Sequence, residues 1–402
     1  VIRSKKYLLK KSKDIIMDRG EGVYLYDNKG RRYLDLTATA WTMNLGYGNK
    51  KINKAILEQV KKLPHCRTHY YTVPKLNLAK KLSKISPIKN GKIDFCLHGS
   101  AANEGAMKLS LNYKVGSGTI LYLEDGFHGR TFGTMSITWK HQNKKFKSFY
   151  GKAIECKKSI RDIELKIKKY NPSAIIIELI QGNGGMHPLP IKLVRGIREL
   201  CNKFHVTMIV DEIQTAFGRC GCIFLSNDYK VIPDIITFGK AMGGGMPLFG
   251  TISKSKYKYE TDDHSFTFAH FPPAMAASLA YLKQLTPNLL NKVLDKGEYI
   301  KNKFKELQKQ YKIIGSIKGV GLMLGVEIVD LKGTPSVQLA EFIVQKMLEH
   351  RVIMNLDKCS GLGYTLKYKP ALTISYKQID CSFKILEHTL KELYTAYYKR
   401  KI

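Results

Sequence analysis

The stretch Val206-Thr207-Met208-Ile209-Val210-Asp211-Glu212-Ile213-Gln214 carries an apolar, β-branched run into two acids and a glutamine. The run is too short for an amphipathic helical stripe and lacks the alternation of a half-exposed strand. It reads as a strand buried on both faces, the kind found inside parallel sheets. Ala174 to Ile180, apolar apart from Glu178, is a second such segment, and Ile93 to Leu97, Thr119 to Leu123 and Ile235 to Phe238 are shorter ones. Glu104 to Tyr113, Leu193 to Phe204 and Pro272 to Leu282 read as helices. Strands alternating with helices predict an α/β fold with a mostly parallel central sheet. Further out, Val23 to Asp27 and Arg32 to Asp35 flank the turn Asn28-Lys29-Gly30 as a β-hairpin. Ile52, Ile56, Val60 and Leu63 share a helix face, and Asn77 to Leu82 continues in helical style. From about Lys301 the pattern becomes helix, strands, a helix over Val337 to Glu349 and a last helix over Cys381 to Tyr398. The expected division is a large unit over 51–300 and a smaller α+β unit built from both termini, 1–50 and 301–402.

The chain of 402 residues is 44% hydrophobic, enough to bury a large core. It has no apolar run of membrane-spanning length and no leader pattern. Eight cysteines, at 66, 96, 156, 201, 220, 222, 359 and 381, form no CxxC pair and no disulfide framework. The expectation is reduced thiols in a cytoplasmic protein without a bound metal. Net charge is +34. The lysines are spread along the chain, as at Lys5, Lys61, Lys144, Lys168, Lys303 and Lys391, with no basic arm or nucleic-acid-binding motif, so no specific nucleic-acid partner is expected. Such a field still favours anionic small molecules.

Four segments carry chemistry. His98-Gly99-Ser100-Ala101-Ala102-Asn103-Glu104 lies between a strand and a helix. Free N–H groups at that helix start could hold an anion, and a plain N-cap by Ser100 with Glu104 in the first turn explains it equally well. Asp211 and Gln214 follow a buried strand, at the end where α/β sheets place ligand groups. Gly126-Phe127-His128-Gly129-Arg130-Thr131 offers a ring, an imidazole and a guanidinium on one loop. In Phe238-Gly239-Lys240-Ala241-Met242-Gly243-Gly244-Gly245 a lysine follows an apolar strand and precedes three glycines. Small and apolar neighbours desolvate that amine and lower its pKa, unlike the many surface lysines.

These residues resemble the class III, or ω-amino-acid, aminotransferases of pyridoxal-phosphate (PLP) fold type I, across nearly the whole chain. The sharpest part is Asp211-Glu212-Ile213-Gln214-Thr215-Ala216-Phe217-Gly218-Arg219, followed after Pro233-Asp234 by Lys240. Glu178-Leu179-Ile180-Gln181-Gly182 and His264-Ser265-Phe266-Thr267-Phe268 also look like segments of that family, as do Gly22 to Asp27, Asn44-Leu45-Gly46 and Pro370-Ala371-Leu372. An anion cradle, an aromatic plate, a carboxylate and a desolvated amine are also what PLP chemistry needs.

The resemblance implies that Lys240 is the Schiff-base lysine and proton shuttle. It pairs Asp211 with the pyridine N–H and Gln214 with the phenolic oxygen, stacks Phe127 on the ring, and places Glu178 and His128 nearby. Gly99, Ser100 and Ala101 are implied to bind phosphate, and Thr267 to reach the phosphate of a second subunit in a homodimer. The implied reaction is a ping-pong transfer from an ω-amino acid, diamine or related amine to a keto acid such as 2-oxoglutarate. The alternative is an amino-acid racemase or epimerase of the same family. The substrate half departs from the pattern. Lys367 stands where the family's carboxylate-binding arginine does, and lysine cannot make that bidentate fork. Asn183 stands at the gating glutamate's position, Ala40 replaces the tyrosine of ornithine aminotransferases beside Trp41, and Ala101 replaces an acid. Arg130, implied to bind a distal carboxylate, is retained.

Overall fold

The computed structural model describes residues 14–114, 118–139, 152–260, 262–357 and 364–398; Lys5, Lys144 and Cys359 lie outside them. At its centre is a seven-stranded sheet. Its spatial order is Lys92–Cys96, Phe249–Ser253, Ile235–Phe238, Thr207–Asp211, Ala174–Glu178, Ile120–Leu123 and Ala153–Cys156. Phe249–Ser253 runs antiparallel to both its neighbours, and the pairs from Ile235–Phe238 to Ala153–Cys156 are parallel. Every residue of the three strands at the middle is buried. Helices on both faces account for that, as the near-continuous isoleucine and valine content requires.

The register of these strands brings the chemistry together. Asp211 pairs with Glu178 on one side and Thr237 on the other. Two carboxylates therefore stand side by side where neighbouring strands end, three residues from Lys240 along the next strand. The predicted long strand Ala174 to Ile180 is interrupted after Glu178, because Ile180–Gln181 turns away to pair with His187–Pro188. The helix predicted from Glu104 starts five residues earlier and spans Gly99–Tyr113. Its cap is His98, whose Nδ1 accepts the N–H of Ala101 at 3.1 Å, rather than Ser100.

The chain's two ends meet. Met17–Glu21, Tyr24–Asp27 and Arg32–Asp35 form an antiparallel ribbon, and Val352–Ile353 adds to it in parallel. Asp27 fixes the hairpin turn by accepting the N–H groups of Lys29 and Arg31 and the Arg31 Nε at 2.6 Å. A second antiparallel sheet holds Ile314–Val320, Met323–Ile328, Tyr364–Tyr368 and Asn355–Asp357, with the helices Val337–Glu349 and Tyr376–Tyr398 beside it. Arg219 ties these parts to the central sheet. Fully buried, it donates to Leu322 O, Pro370 O and Asn44 Oδ1. Among the described residues no helix is long and apolar enough to cross a membrane, and seven cysteines are free thiols.

Gly239 joins the strand Ile235–Phe238 to Lys240, and a Cβ there would lie 1.8 Å from Phe249 Cδ1 on the adjacent strand. Only glycine lets the Lys240 backbone pass under that ring. Gly239→Ala should therefore lower the midpoint of thermal unfolding by roughly 2–10 °C through overpacking; an unchanged midpoint in a melting experiment would contradict this close approach.

Candidate active site

Asp211 is the first residue to place. It is 6% exposed at the end of a central strand. A carboxylate so buried costs several kcal/mol unless donors surround it. Three converge here. Oδ2 accepts Asn103 Nδ2 at 2.8 Å and His128 Nδ1–H at 2.9 Å, and Oδ1 accepts the Ile213 N–H at 3.1 Å. Asn103 is itself fully buried, donating also to His128 O at 2.7 Å and accepting Thr237 Oγ1 at 2.7 Å. Helix, loop and two strands are thus locked around one carboxylate.

The Gly126–Arg130 loop is shaped by three backbone N–H bonds. Phe127 N–H donates to Glu178 Oε1 at 2.9 Å, His128 N–H to Thr138 Oγ1 at 3.1 Å, and Arg130 N–H to Ser100 Oγ at 3.0 Å. Glu178 also accepts the Gly182 N–H at 3.2 Å. Burial pushes its carboxyl group up, against the pull of His128. The Phe127 ring packs on Trp139 at 5.4 Å between centroids and carries the Arg130 guanidinium at 4.8 Å. Glu212, next to Asp211, is buried and serves the fold: it accepts from Leu225 N–H, Ser226 N–H, Ser226 Oγ and Thr215 Oγ1.

Lys240 enters this cleft on strained backbone, with φ +48°. Residues other than glycine rarely take that region, and they cluster at functional sites when they do. Burial lowers its amine pKa from 10.5 to about 8. Asp211 and Glu178 oppose the drop, and the cations Lys367 and Arg130 add to it.

The cleft measures about 310 Å³ and is lined by Gly99, Ser100, Phe127, His128, Arg130, Asp211, Gln214, Lys240 and Ala40, all singled out from the sequence. Thr42, Asn103, Gly129, Ile213 and Phe249 complete it. Asn103 carried one readable signal, since it follows Gly99 by four residues and Ser100 by three and so shares their helix face. Phe249 carried none, because it arrives on the antiparallel strand. Ala101 does not line the cleft; its N–H is held by His98. Thr267 is exposed and away from the cleft of its own chain. Asn183 and Lys367 meet, with Lys367 Nζ donating to Asn183 Oδ1 at 3.2 Å. They approach Lys240 across Trp41: the Nζ atoms of Lys240 and Lys367 each lie 5.1 Å from its ring centroid.

Two polar atoms beside this cleft are shut from solvent and have no hydrogen-bond partner among the described residues: Gln214 Oε1 and His128 Nε2. Such atoms call for a bound group or ordered water. Gly182 makes room for Gln214, whose Oε1 would lie 2.3 Å from any Cβ at that position. An aromatic ring, a three-donor carboxylate, an orphan amide and a desolvated amine can together hold a flat polar ring bearing a carbonyl.

Residues 8–390 match the profile of the class-III aminotransferases. The acetylornithine aminotransferase of Caldanaerobacter subterraneus subsp. tengcongensis is 34% identical over 390 residues, covering 94% of this chain and 95% of that protein. That of Methanocaldococcus jannaschii is 33% identical, covering 94% of each. Among solved structures, a transaminase from a marine Virgibacillus superposes with a TM-score of 0.91 at 23% identity, covering 98% of this chain and 99% of the other. A Vibrio fluvialis aminotransferase in its PMP-bound form gives 0.89 at 22%, covering 98% of both. The fold is that of these transaminases, and with the match over most of its length the chain belongs to the class-III aminotransferase family.

Proposed function

We propose that this aminotransferase uses PLP and carries an amino group from an ω-amino acid, diamine or related amine to a keto acid such as 2-oxoglutarate. The observation that carries the reading is the desolvated Lys240 amine facing Asp211 in one cleft. PLP, when bound, supplies an aldehyde that reacts with amines and a ring that draws electron density from the attached carbon.

The residues present fit that group. The two orphan atoms, Gln214 Oε1 and His128 Nε2, belong to side chains that line the cleft together with Asp211. Asp211 would hold a proton on the ring nitrogen, Gln214 would meet the phenolic oxygen, and Phe127 would cover one face. Gly99 and Ser100 would take the phosphate at the start of their helix, where N–H groups and the dipole favour an anion. Lys240 would hold the aldehyde and later move the proton from the amine-bearing carbon of the substrate, as general acid–base chemistry with an amine tuned toward neutral pH requires. Glu178 holds the Phe127 loop in place. Arg130, exposed at the cleft, and Lys367, paired with Asn183, are the cations for substrate carboxylates. A donor with a terminal amine is supported by the relatives, which are acetylornithine aminotransferases.

A second copy fits the surface. Leu57, Val60, Tyr70, Tyr71, Val73 and Leu76 are exposed, with Tyr71 at 78%. A groove of about 760 Å³ is lined by two of them, Tyr71 and Val73, with Leu63 and Leu279. Phe268, next to Thr267, packs at a tilt on His65 with 4.6 Å between ring centroids. A homodimer in which Thr267 serves the partner's phosphate would cover this surface.

Two outcomes follow. Adding one amine donor to the PLP-loaded enzyme without keto acid should release about one equivalent of carbonyl product per site; inversion of the donor's stereocentre with no carbonyl product would instead mark an epimerase. The second concerns pH. At a pKa of about 8 half of the Lys240 amine is neutral at pH 8, against roughly one part in 300 for an ordinary lysine. The neutral amine is the reactive form, so the rate of PLP uptake by the stripped enzyme should climb with pH and level off above about 8. A rate still rising tenfold per unit through pH 9 and 10 would show an unshifted amine.

A further inference from the structure

The segment joining Asp35 to the cleft is unusual. Ala38, Thr39, Ala40 and Trp41 have φ of +44°, +44°, +55° and +70°, one left-handed turn without a glycine. L-residues avoid this conformation, so something must hold it. At its start Asp35 accepts the N–H groups of Thr37 at 2.8 Å and Thr39 at 3.1 Å. Asp35 also accepts Thr37 Oγ1 and Tyr47 OH, both at 2.6 Å. At its end is Trp41, only partly buried, with a lysine against its ring: Lys369 Nζ lies 3.2 Å from the ring centroid. Lys369 is 1% exposed and two residues beyond Lys367, hence on the same side of the extended segment. Its backbone N–H donates to Leu36 O at 2.9 Å, which ties it to the chain just before the turn.

We infer that Lys369 is a positioning residue for the substrate pocket: its ammonium, set against the indole, pins Trp41 and the left-handed turn carrying Ala40 in the gap between Lys240 and Lys367. A cation on an aromatic face is strengthened when it is withdrawn from water, and Lys369 is buried here. The pin keeps the wall of the pocket in place while Lys367 stays with Asn183. Lys369 does not itself line the cleft, and its ammonium sits on the Trp41 ring, so it acts through Trp41. The inference rests on the transferase reading for its kinetic consequence, and on the turn alone for its structural one.

The test uses the PLP-loaded enzyme. Trp41 and Trp139 are its two tryptophans, so a Trp139→Phe background isolates Trp41 fluorescence. Lys369→Met, similar in length and uncharged, should raise acrylamide quenching of Trp41. With Trp139 intact, it should raise KM for an amino-acid donor roughly tenfold while kcat stays within about twofold. Lys369→Arg, which keeps a cation on the ring, should restore both. If Lys369→Met fails to fold, Lys369→Gln carries the same comparison. Unchanged quenching, or a fall in kcat at constant KM, overturns the inference. If no donor is turned over even by the unaltered enzyme, the transferase reading falls, and the quenching comparison still decides whether Lys369 holds Trp41.

Discussion

A carboxylate buried at the carboxyl end of a central strand sets the terms for this molecule. Asp211 must be given donors or its burial costs more than the fold can offset. The donors come from a helix side chain, a loop imidazole and the next turn of its own chain. Each of these is fixed in turn. Asn103 is held by Thr237 on the neighbouring strand, and the His128 loop is held by Glu178, Thr138 and Ser100. The network leaves Gln214 Oε1 and His128 Nε2 under-satisfied, while Asp211 and Asn103 are paired. That asymmetry is what distinguishes a prepared site from an ordinary buried ion cluster.

Lys240 depends on the same network from the other side. It is buried next to two carboxylates and two cations, and burial outweighs the carboxylates. The strained backbone at Lys240 and the left-handed turn at Ala38 to Trp41 face each other across the substrate side of the cleft. Strain of this kind persists only where surrounding contacts over-determine the structure. Gly239 below and Asp35 beside supply those contacts.

The sequence revealed the central sheet because Ala174 to Ile177 and Thr207 to Val210 leave little freedom: such runs satisfy a strand covered on both faces and little else. It also revealed the cofactor half, since Asp211 ends its strand and Gln214 and Lys240 follow strand ends closely. Register could not be read. That Asp211 lies opposite Glu178 and Thr237 is a property of pairing. Helix starts were blurred as well: the first turn Gly99 to Asn103 has small residues without helical periodicity, and a histidine cap gives no clear signal. The least legible feature was the Ala38 to Trp41 turn. Alanine, threonine and tryptophan carry no local preference for positive φ, so that conformation is imposed from a distance by Asp35, Tyr47 and Lys369. Lys369 itself was one basic residue among 67.

Borohydride reduction of the PLP-loaded enzyme, followed by mass mapping of its peptides, distinguishes Lys240 from the other lysines. Lysines and arginines number 67, yet among the described residues only Lys240 has the buried, desolvated setting beside Asp211. A single phosphopyridoxyl adduct is expected, on Lys240, at about one per chain. An adduct spread over surface lysines, placed on Lys367 or Lys369, or absent altogether would contradict that expectation.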